Sequence, residues 1–445
     1  MKSPTTKNPH ITLWTAVGVV IANMIGTGVF TSLGFQAAAT PSEWTLLFLW
    51  VIGGGLAICG ALSYAELGAA MPRSGGEYNY LSQIYHPSVG FLSGWVSGTV
   101  AFAAPIALAA LAFGEYIAGA FPVLPPKALA VLVLVVITAV HLSSLKSAVR
   151  FQNISTLLKV LPIMILGAAG LYFVKSHGHV GLPTATDFNL VLTPPFAVSL
   201  VYVSYAYSGW NASTYLAGEV KNPERNVPLS VILGTLIVLV AYLVLNFIFI
   251  HSIPMNELKG TLQVGALSGQ KIFGPLGGKI VSLFIGLGLI ATISSMLLAS
   301  SRVLKTIGED FAKIGWLARS NNVGHPRNAI LIQAVIALAL LLTSSFDQVL
   351  TYVSFTLTLF TVLTVAGIYR LRAKTAGRPR PHTAWGYPYT PAIFIVFNLY
   401  MMIFLLMQRP LEAVAGLLTV ITGAGVYFWL SQPTENLAAK ESPCV

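Results

Sequence analysis

Long apolar segments recur along the whole chain, and they constrain its fold more than any other feature. A helix that crosses the hydrocarbon core of a bilayer needs about 20 apolar residues. Twelve candidate spans meet this requirement: 14–37, 44–70, 88–118, 127–144, 152–175, 195–219, 229–251, 276–301, 328–345, 347–369, 391–408 and 411–431. Because backbone polar groups in lipid must be satisfied internally, the sequence predicts an all-α polytopic membrane protein with twelve transmembrane helices. The third span is over-long and contains Pro105, which predicts a tilt or a kink.

The composition supports a membrane protein and excludes most soluble classes. Hydrophobic residues make up 55% of the chain and charged residues only 9%, against about 25% charged residues in soluble domains. The net charge of +11 is explained by basic cytoplasmic loops, so we expect lipid and not nucleic acid as a partner. Cys59 lies within a span and Cys444 near the end of the chain, so no disulfide framework is expected.

The distribution of Lys and Arg predicts the orientation of the spans. If both termini are cytoplasmic, eighteen of the 25 basic residues fall in cytoplasmic segments and six in outer ones, with Lys159 inside a span. Cytoplasmic loops carry the excess of positive charge in membrane proteins. We therefore expect both 1–13 and the tail 432–445 to be cytoplasmic.

The first span is interrupted by glycine. Gly26-Thr27-Gly28 falls in the middle of the apolar stretch 18–35, and each glycine in a helix interior costs about 1 kcal/mol relative to alanine. A break in lipid frees backbone groups, which persist only where protein, a cavity or a ligand covers them. The N–H groups at the start of the second half-helix would suit an anion. A packing face of small residues between helices is the alternative, and this stretch alone leaves it open.

The sixth span carries a matching interruption. Ser208, Gly209 and Asn211 cluster in the middle of 195–219, and an odd number of intervening spans makes this span antiparallel to the first. Paired interruptions in corresponding spans are typical of transporters built from inverted repeats, with the site at the membrane midplane. This predicts repeats of five helices over 14–175 and 195–369, followed by two additional helices over 391–431. A polar contact between helices is again the alternative.

The two breaks together predict the chemistry of the ligand. Exposed N–H groups near residues 27–29 suit a carboxylate, and exposed carbonyls near Met24, Tyr205 and Ser208 suit an ammonium group. A ligand with both charges close together is a zwitterionic amino acid. Its side chain would be read elsewhere, by the volume of the pocket.

Several motifs resemble one known family, in order along the whole chain. The first-span sequence IGTGVF resembles the glycine motif of the amino acid–polyamine–organocation superfamily, and the sixth-span sequence YAYSGWN resembles that of its L-type amino acid transporter branch. Three loop sequences are also similar to those of the family: PRSGGEY at 72–78, EVKNPERNVP at 219–228, and Ser301-Arg302 followed by GED at 308–310.

The resemblance implies a leucine-transporter-type fold of ten core helices plus two, with broken helices 1 and 6 and alternating access to one site. It also implies a set of substrate-binding residues, namely Met24, Ile25, Gly26, Thr27, Gly28, Val29, Tyr205, Ser208, Gly209, Trp210 and Asn211. Tyr205 stands where this branch has an aromatic gate.

The chain departs from the family pattern at two places. Animal members of the branch bond to a heavy chain through a cysteine between the third and fourth spans, and 119–127 contains none. We therefore expect no disulfide-linked heavy chain and a monomeric protein. Ser208 stands where many relatives have glycine, which favours small substrates.

Lys159 lies inside the fifth span, about 13 Å beyond Arg150 at a rise of about 1.5 Å per residue. A charged residue in a span usually faces the interior of the bundle and has a function. The resemblance implies that its ammonium group replaces the sodium ion that bridges the first and eighth spans, with carbonyls before Gly26 and the hydroxyls of Ser294 or Ser295 as partners. Snorkelling towards the cytoplasmic surface is the alternative.

Other titratable residues give weaker signals. Glu66 and Glu115 lie near span ends, where a paired or solvated carboxylate is more common than a proton carrier. Glu219 follows the sixth span and is expected to join ion pairs with nearby basic residues. His177 and His179 lie in an outer loop without further ligands, so no metal site and no cofactor are expected.

These patterns favour a transporter over an enzyme or a channel. No nucleophile elbow, HExxH, P-loop or CxxC motif occurs, and polarity is concentrated at two breaks instead of along a pore. The sequence predicts a sodium-independent exchanger of small neutral L-amino acids in the plasma (inner) membrane of a bacterium. A proton-coupled amino acid symporter of the same fold is the alternative.

Overall fold

The structure is a computed structural model that describes residues 11–40, 42–122, 125–143, 159, 163–172, 183–191, 193–319 and 326–431. The described chain is helical, and its β-type pairing is an isolated bridge between Ile11 and Val220. The α-helices are α1 (Leu13–Met24), α2 (Gly28–Ala39), α3 (Glu43–Ala70), α4 (Glu77–Ile84), α5 (Pro87–Val96), α6 (Ala103–Ala120), α7 (Pro126–Ser143), α8 (Ile163–Tyr172), α9 (Ala185–Asn189), α10 (Pro194–Ala206), α11 (Pro223–Ser252), α12 (Met255–Leu258), α13 (Val264–Asp310), α14 (Arg327–Thr343), α15 (Phe346–Lys374), α16 (Tyr389–Gln408) and α17 (Pro410–Ser431).

Serine residues start two of the long helices. The Ser42 hydroxyl accepts a hydrogen bond from the Thr45 N–H at 3.2 Å before α3. Before α15, Ser345 and Gln348 form a capping box, with bonds of 3.3 and 2.9 Å between each side chain and the other residue's N–H. These bonds satisfy N–H groups that the first helical turn leaves free, so both helices begin where the sequence places a serine before an apolar run.

Eight helical segments among the described residues are long and apolar enough to cross a membrane. They are Leu13–Ala39, Glu43–Ala70, Pro87–Ala120, Pro223–Ser252, Val264–Asp310, Phe346–Lys374, Tyr389–Gln408 and Pro410–Ser431. Large apolar side chains on the outer faces of α16 and α17 are exposed, including Met407, Leu411 and Ile421. Soluble monomers rarely expose such continuous apolar surface, whereas lipid solvates it well. The chain is therefore an all-α, polytopic integral membrane protein.

The interrupted segments lie at the centre of the helix bundle. The helix α10 packs against α2, α3, α15 and α16, while α1 packs against α11. Behind the interruptions, the buried rings of Trp50, Tyr207 and Tyr242 contact one another with centroid separations between 5.1 and 5.8 Å. This aromatic cluster provides a rigid wall for the centre of the bundle.

The structure refines the predicted spans at two places. In the third span, a π-helical turn over Ser97–Ala101 lies immediately before α6, which contains Pro105, and such turns are a common cause of bends in helices. The helical conformation is interrupted at Gly274, which has φ 77°, directly before the predicted eighth span 276–301, and the helix continues beyond that span to Asp310. Of the fifth span, 152–175, only 159 and 163–172 belong to the described residues.

Candidate functional site

The first interruption leaves the start of α2 without a side-chain cap. The helix α1 ends at Met24 and α2 begins at Gly28, and Thr27 at the N-cap position makes no side-chain capping bond. The first backbone bond of the new helix joins the Phe30 N–H to the Thr27 carbonyl at 3.1 Å. The N–H groups of Gly28 and Val29 precede that bond, so they lie at the positive end of a twelve-residue helix.

Side chains from two distant segments bind the free carbonyls at the end of α1. The ammonium group of Lys159 donates to the Ala22 carbonyl at 3.3 Å, and the Tyr242 hydroxyl donates to the Met24 carbonyl at 2.7 Å. Lys159 is only 4% exposed, so its charge lies inside the bundle and does not snorkel. The carbonyl of Met24, which the sequence predicts as an ammonium ligand, keeps one lone pair beyond this bond.

The second interruption is built on a positive-φ glycine. The helix α10 ends at Ala206, and a 3-10 segment begins at Ala212. Between them Gly209 has φ 95°, a conformation that side chains other than glycine rarely allow. The Tyr205 carbonyl accepts the Ser208 N–H at 2.9 Å within this turn, so it is already partly satisfied.

The two interruptions face each other at close range. A Cβ atom on Gly28 would lie 2.5 Å from the Cα of Ala206, and one on Gly209 would lie 2.9 Å from the Asn23 carbonyl oxygen. In contrast, a Cβ on Gly26 would meet nothing within 4 Å. Gly28 and Gly209 therefore allow the two breaks to approach each other closely, whereas the space beside Gly26 is open.

A cavity of about 170 Å³ lies beside the second interruption, more than ten times the volume of about 10–15 Å³ that one water needs. Five of the predicted site residues line it: Tyr205, Ser208, Gly209, Trp210 and Asn211. From the first interruption only Asn23 is among its lining residues, while Met24, Ile25, Thr27, Gly28 and Val29 are buried against protein. The cavity is therefore lined mainly by residues of the second interruption and touches the first only at Asn23.

Several lining residues are missed by sequence reasoning. These are Asn23, Glu77, Tyr215, Ser354, Thr358, Phe394 and Asn398. Glu77 lies within the PRSGGEY motif, which is the one signal that could have identified it. The others are single polar or aromatic residues on otherwise apolar helices, and nothing in the local sequence separates them from packing residues.

Ser294 and Ser295 contact other groups than the lysine. The Ser294 hydroxyl lies 2.8 Å from the His141 Nε2 atom, and Ser295 donates to the Thr292 carbonyl at 3.0 Å. The hydrogen bond of Lys159 goes instead to a carbonyl just before Gly26, as the sequence predicts for its other partners. The part of the chain that the structure describes contains no group of three potential metal ligands, and His177 and His179 lie outside it.

The carboxylate of Glu66 is paired with arginine. Arg372 donates two bonds to it, at 2.8 and 2.6 Å, and the Ala384 N–H donates a third at 2.6 Å. Glu66 is 1% exposed. Burial of the His382 imidazole lowers its pKa, although the negative charge of the Glu66 carboxylate acts in the opposite direction. Glu66 therefore joins α3 to α15 and the following loop. Glu115 is half-buried on α6.

Aromatic stacking and an ion pair connect α2 to neighbouring parts of the bundle. Phe35 stacks on both Tyr202 and Phe346, with centroid separations of 5.8 and 5.9 Å. The Tyr202 hydroxyl bonds to Asp347, which also forms an ion pair with Arg409 at 2.9 Å. These contacts join α2, α10 and α15 to Arg409, the residue between α16 and α17.

Comparison with known proteins decides the family. The profile described as amino acid permease matches residues 11–427, which is most of the chain. This chain belongs to the amino acid permease family. The resemblance read from its motifs is therefore correct, and the permease is a transporter and not an enzyme.

Individual relatives agree with the family. The permease is 29% identical to the human large neutral amino acids transporter small subunit 2 over 442 residues, covering 95% of this chain and 81% of that protein. It is 28% identical to the serine/threonine exchanger SteT of Bacillus subtilis, covering 95% and 97% of the two chains. It is 27% identical to the mouse b(0,+)-type amino acid transporter 1, covering 95% and 88%.

Proposed function

We propose that this permease is a sodium-independent exchanger of small neutral L-amino acids that works by alternating access. The observation that carries the proposal is the pair of interrupted helices facing each other beside a cavity. The uncapped start of α2 offers N–H groups to a carboxylate, and the end of α1 offers carbonyls to an ammonium group a few residues away. A solute that carries both charges on one carbon satisfies both ends.

The names of the relatives support exchange of amino acids. SteT is named as a serine/threonine exchanger. The other relatives are named as a transporter of large neutral amino acids, a b(0,+)-type amino acid transporter and an Asc-type amino acid transporter. Asn211 and Ser208 are the polar side chains at the second break that would read a small substrate.

The substrate ammonium group has a specific set of candidate acceptors. Lys159 and Tyr242 already bind two of the carbonyls at the end of α1. Asn23 lines the cavity, so in this proposal its carbonyl is a further acceptor. Met24 and Tyr205 contribute through their second lone pairs. The side chain of Tyr205, above the break, would gate access to the site.

Lys159 accounts for independence from sodium. Its buried ammonium group contacts the end of α1 through the Ala22 carbonyl, where a bound cation would otherwise satisfy these groups. A fixed positive charge supplies the same attraction without a second solute. In the proposal, Ser294 and Ser295 on α13 form the side of this region that is opposite α1.

The topology belongs to the same proposal. Twelve spans would form two inverted five-helix repeats, over 14–175 and 195–369, with two additional helices over 391–431. Both termini, 1–13 and 432–445, would then be cytoplasmic and the membrane that of a bacterial cell. Residues 119–127 contain no cysteine, so the permease would act without a disulfide-linked heavy chain, as a monomer.

Reconstituted vesicles test the function directly. Uptake of a radiolabelled amino acid is measured into proteoliposomes that contain or lack unlabelled amino acid, with choline replacing sodium in parallel samples. We expect uptake only into loaded vesicles and no effect of sodium. Uptake driven into empty vesicles by a pH gradient would show a proton-coupled symporter instead, and loss of uptake in choline would overturn the role of Lys159.

A further inference from the structure

We propose that Glu77 is a positioning residue for the second interruption, holding Asn211 and Tyr215 in the geometry that the amino acid site requires. This inference rests on the proposed function, because it assigns a role in substrate binding to a group outside the two breaks. Glu77 begins the short helix α4, on the loop that follows the second span.

The contacts of Glu77 converge from two elements. Its Oε1 atom accepts hydrogen bonds from the Tyr64 hydroxyl at 2.7 Å and from the Asn211 side-chain amide at 2.8 Å. Its Oε2 atom accepts a bond from the Tyr215 hydroxyl. The Asn211 amide also donates to the Tyr215 oxygen at 3.3 Å. One carboxylate therefore orients both side chains of the segment that follows the break.

The charge of Glu77 is retained inside the bundle by neutral donors. Glu77 is 6% exposed, and none of the ion pairs in the described part of the chain includes it. A carboxylate is an acceptor at both oxygens, which matches three donors arriving together. A glutamine would occupy the same space as Glu77. Its side-chain N–H₂ group would face one of these donors, so it could not form the same hydrogen bonds.

The loop around Glu77 fits the 3-10 segment along its length. Ser74 accepts the Gly218 N–H at 3.0 Å. A Cβ atom on Gly76, where φ is 51°, would lie 2.5 Å from the Tyr215 ring. The loop and the segment are thus in contact at three successive places, ending at Glu77. This is the arrangement expected of a support that sets the position of the broken helix.

The neighbouring residue connects the same helix to the opposite side of the bundle. The Tyr78 hydroxyl donates to Asp310 at the end of α13 at 2.9 Å. Burial and the adjacent Asp310 carboxylate raise the pKa of Tyr78 to about 12, so it remains a donor at neutral pH. Further along α4, the Ile84 carbonyl accepts a bond from Lys374 of α15. The helix α4 therefore couples the second break to α13 and α15.

Asn211 and Tyr215 line the cavity, and both are hydrogen-bonded to Glu77, so a change at Glu77 that releases them alters the lining of the substrate site. For Glu77→Gln we expect the KM of exchange to rise about tenfold, which is the effect of losing one charge-assisted bond. We expect Glu77→Asp to recover part of the affinity, since it keeps the charge and the two acceptors. Glu115→Gln, a carboxylate change on α6 outside this cluster, should leave KM unchanged.

A double-mutant cycle separates positioning from general stability. Glu77→Gln, Asn211→Ala and the pair are compared for KM and maximal exchange rate in proteoliposomes. If Glu77 acts in part through Asn211, the pair costs less than the sum of the two single variants, because both remove the same interaction. Additive effects, or a KM for Glu77→Gln equal to that of the wild type, would overturn the proposal. A loss confined to cationic amino acids would also overturn it, since Glu77 would then be a counter-ion for the substrate side chain.

A second measurement does not depend on transport. Hydrogen–deuterium exchange of peptides covering 207–219 should be faster in Glu77→Gln and unchanged in Glu115→Gln, because the segment loses its support. If Glu77→Gln does not fold, hydrogen–deuterium exchange is measured on Tyr215→Phe in its place.

The two proposals can fail separately. If the wild type transports no amino acid by exchange in proteoliposomes, the proposed function fails. Unchanged protection in 207–219 in every folded variant contradicts the role of Glu77 itself.

Discussion

Gly28 and Gly209 determine how closely the two broken helices approach each other. Gly28 lies against the backbone of Ala206 and Gly209 against the Asn23 carbonyl, whereas Gly26 borders space. Glycine at 28 and 209 is thus required by contact, not only by conformational freedom.

The Gly28→Ala variant tests this contact. The added methyl group would lie 2.5 Å from the Ala206 backbone, so the two helices must separate. We expect a loss of about 1–3 kcal/mol in stability and at least a tenfold loss of exchange. Gly55→Ala is the matched control, because its Cβ would meet nothing within 4 Å on the same kind of apolar helix. Equal activity of the two variants would contradict the account.

Lys159 provides the second prediction at this scale. Lys159→Met keeps most of the stem and removes the charge that binds the Ala22 carbonyl, so exchange should fall at least tenfold. Lys127→Met is the control, since Lys127 is exposed and donates to the Leu342 carbonyl at 2.8 Å far from the breaks. Uptake assays with both variants at equal surface expression decide the question. An active Lys159→Met would show that the buried charge has no part in transport.

Sequence alone identifies the breaks but not all of the groups at them. Gly26, Gly28 and Gly209 stand out because glycine is unfavourable in a span. The hydrogen bonds of Lys159 and Tyr242 to carbonyls at the end of α1 are not visible in sequence, since the donors come from distant segments. Backbone acceptors carry no residue-type signal, so only coordinates reveal which carbonyls are already bonded.

At the scale of helices, Glu66 holds three elements together. Its carboxylate binds Arg372 twice and the Ala384 N–H once, and Arg372 lies 3.5 Å above the Tyr387 ring. Removing one partner of a buried ion pair leaves the other uncompensated, which costs about 3–5 kcal/mol. The cluster therefore stabilises the contact of α3 with α15 and with the loop before α16.

We predict that Glu66→Ala lowers stability by about 3–5 kcal/mol, measured as the thermal unfolding of the purified protein in detergent. The control is Glu309→Ala, which removes an exposed pair with Lys305 at 3.7 Å and should cost no more than about 1 kcal/mol. Similar losses in the two variants would mean that the buried pair is not a structural clamp. A stable Glu66→Ala that no longer responds to a pH gradient would restore Glu66 as a proton carrier.

Helix shapes are predictable only in part. The third span contains a π-helical turn at Ser97–Ala101, before Pro105, and this turn has no sequence signature. The predicted eighth span begins at 276, directly after Gly274 and Pro275, where the helical conformation is interrupted. A π-helical turn depends on packing against neighbouring helices, which overrides local preference.

For the molecule as a whole, hydropathy predicts the class, an all-α membrane protein, because lipid requires the backbone of a spanning segment to satisfy its own hydrogen bonds. Pairing of the breaks requires tertiary contacts, here those of α10 with α2. The ring of Phe35 stacks on those of Tyr202 and Phe346, and these residues are far apart in sequence. Such stacking is a property of assembled helices and cannot be predicted from any one of them.

The central claim is that the facing breaks recognise both charges of an amino acid. Competition against exchange tests it most directly, using the smallest amino acid that the permease exchanges and two analogues, one without the ammonium group and one without the carboxylate. A site that binds both charges rejects either analogue, so neither should compete at a concentration about a hundredfold higher. Competition by either analogue as strong as that of the amino acid itself would contradict the account.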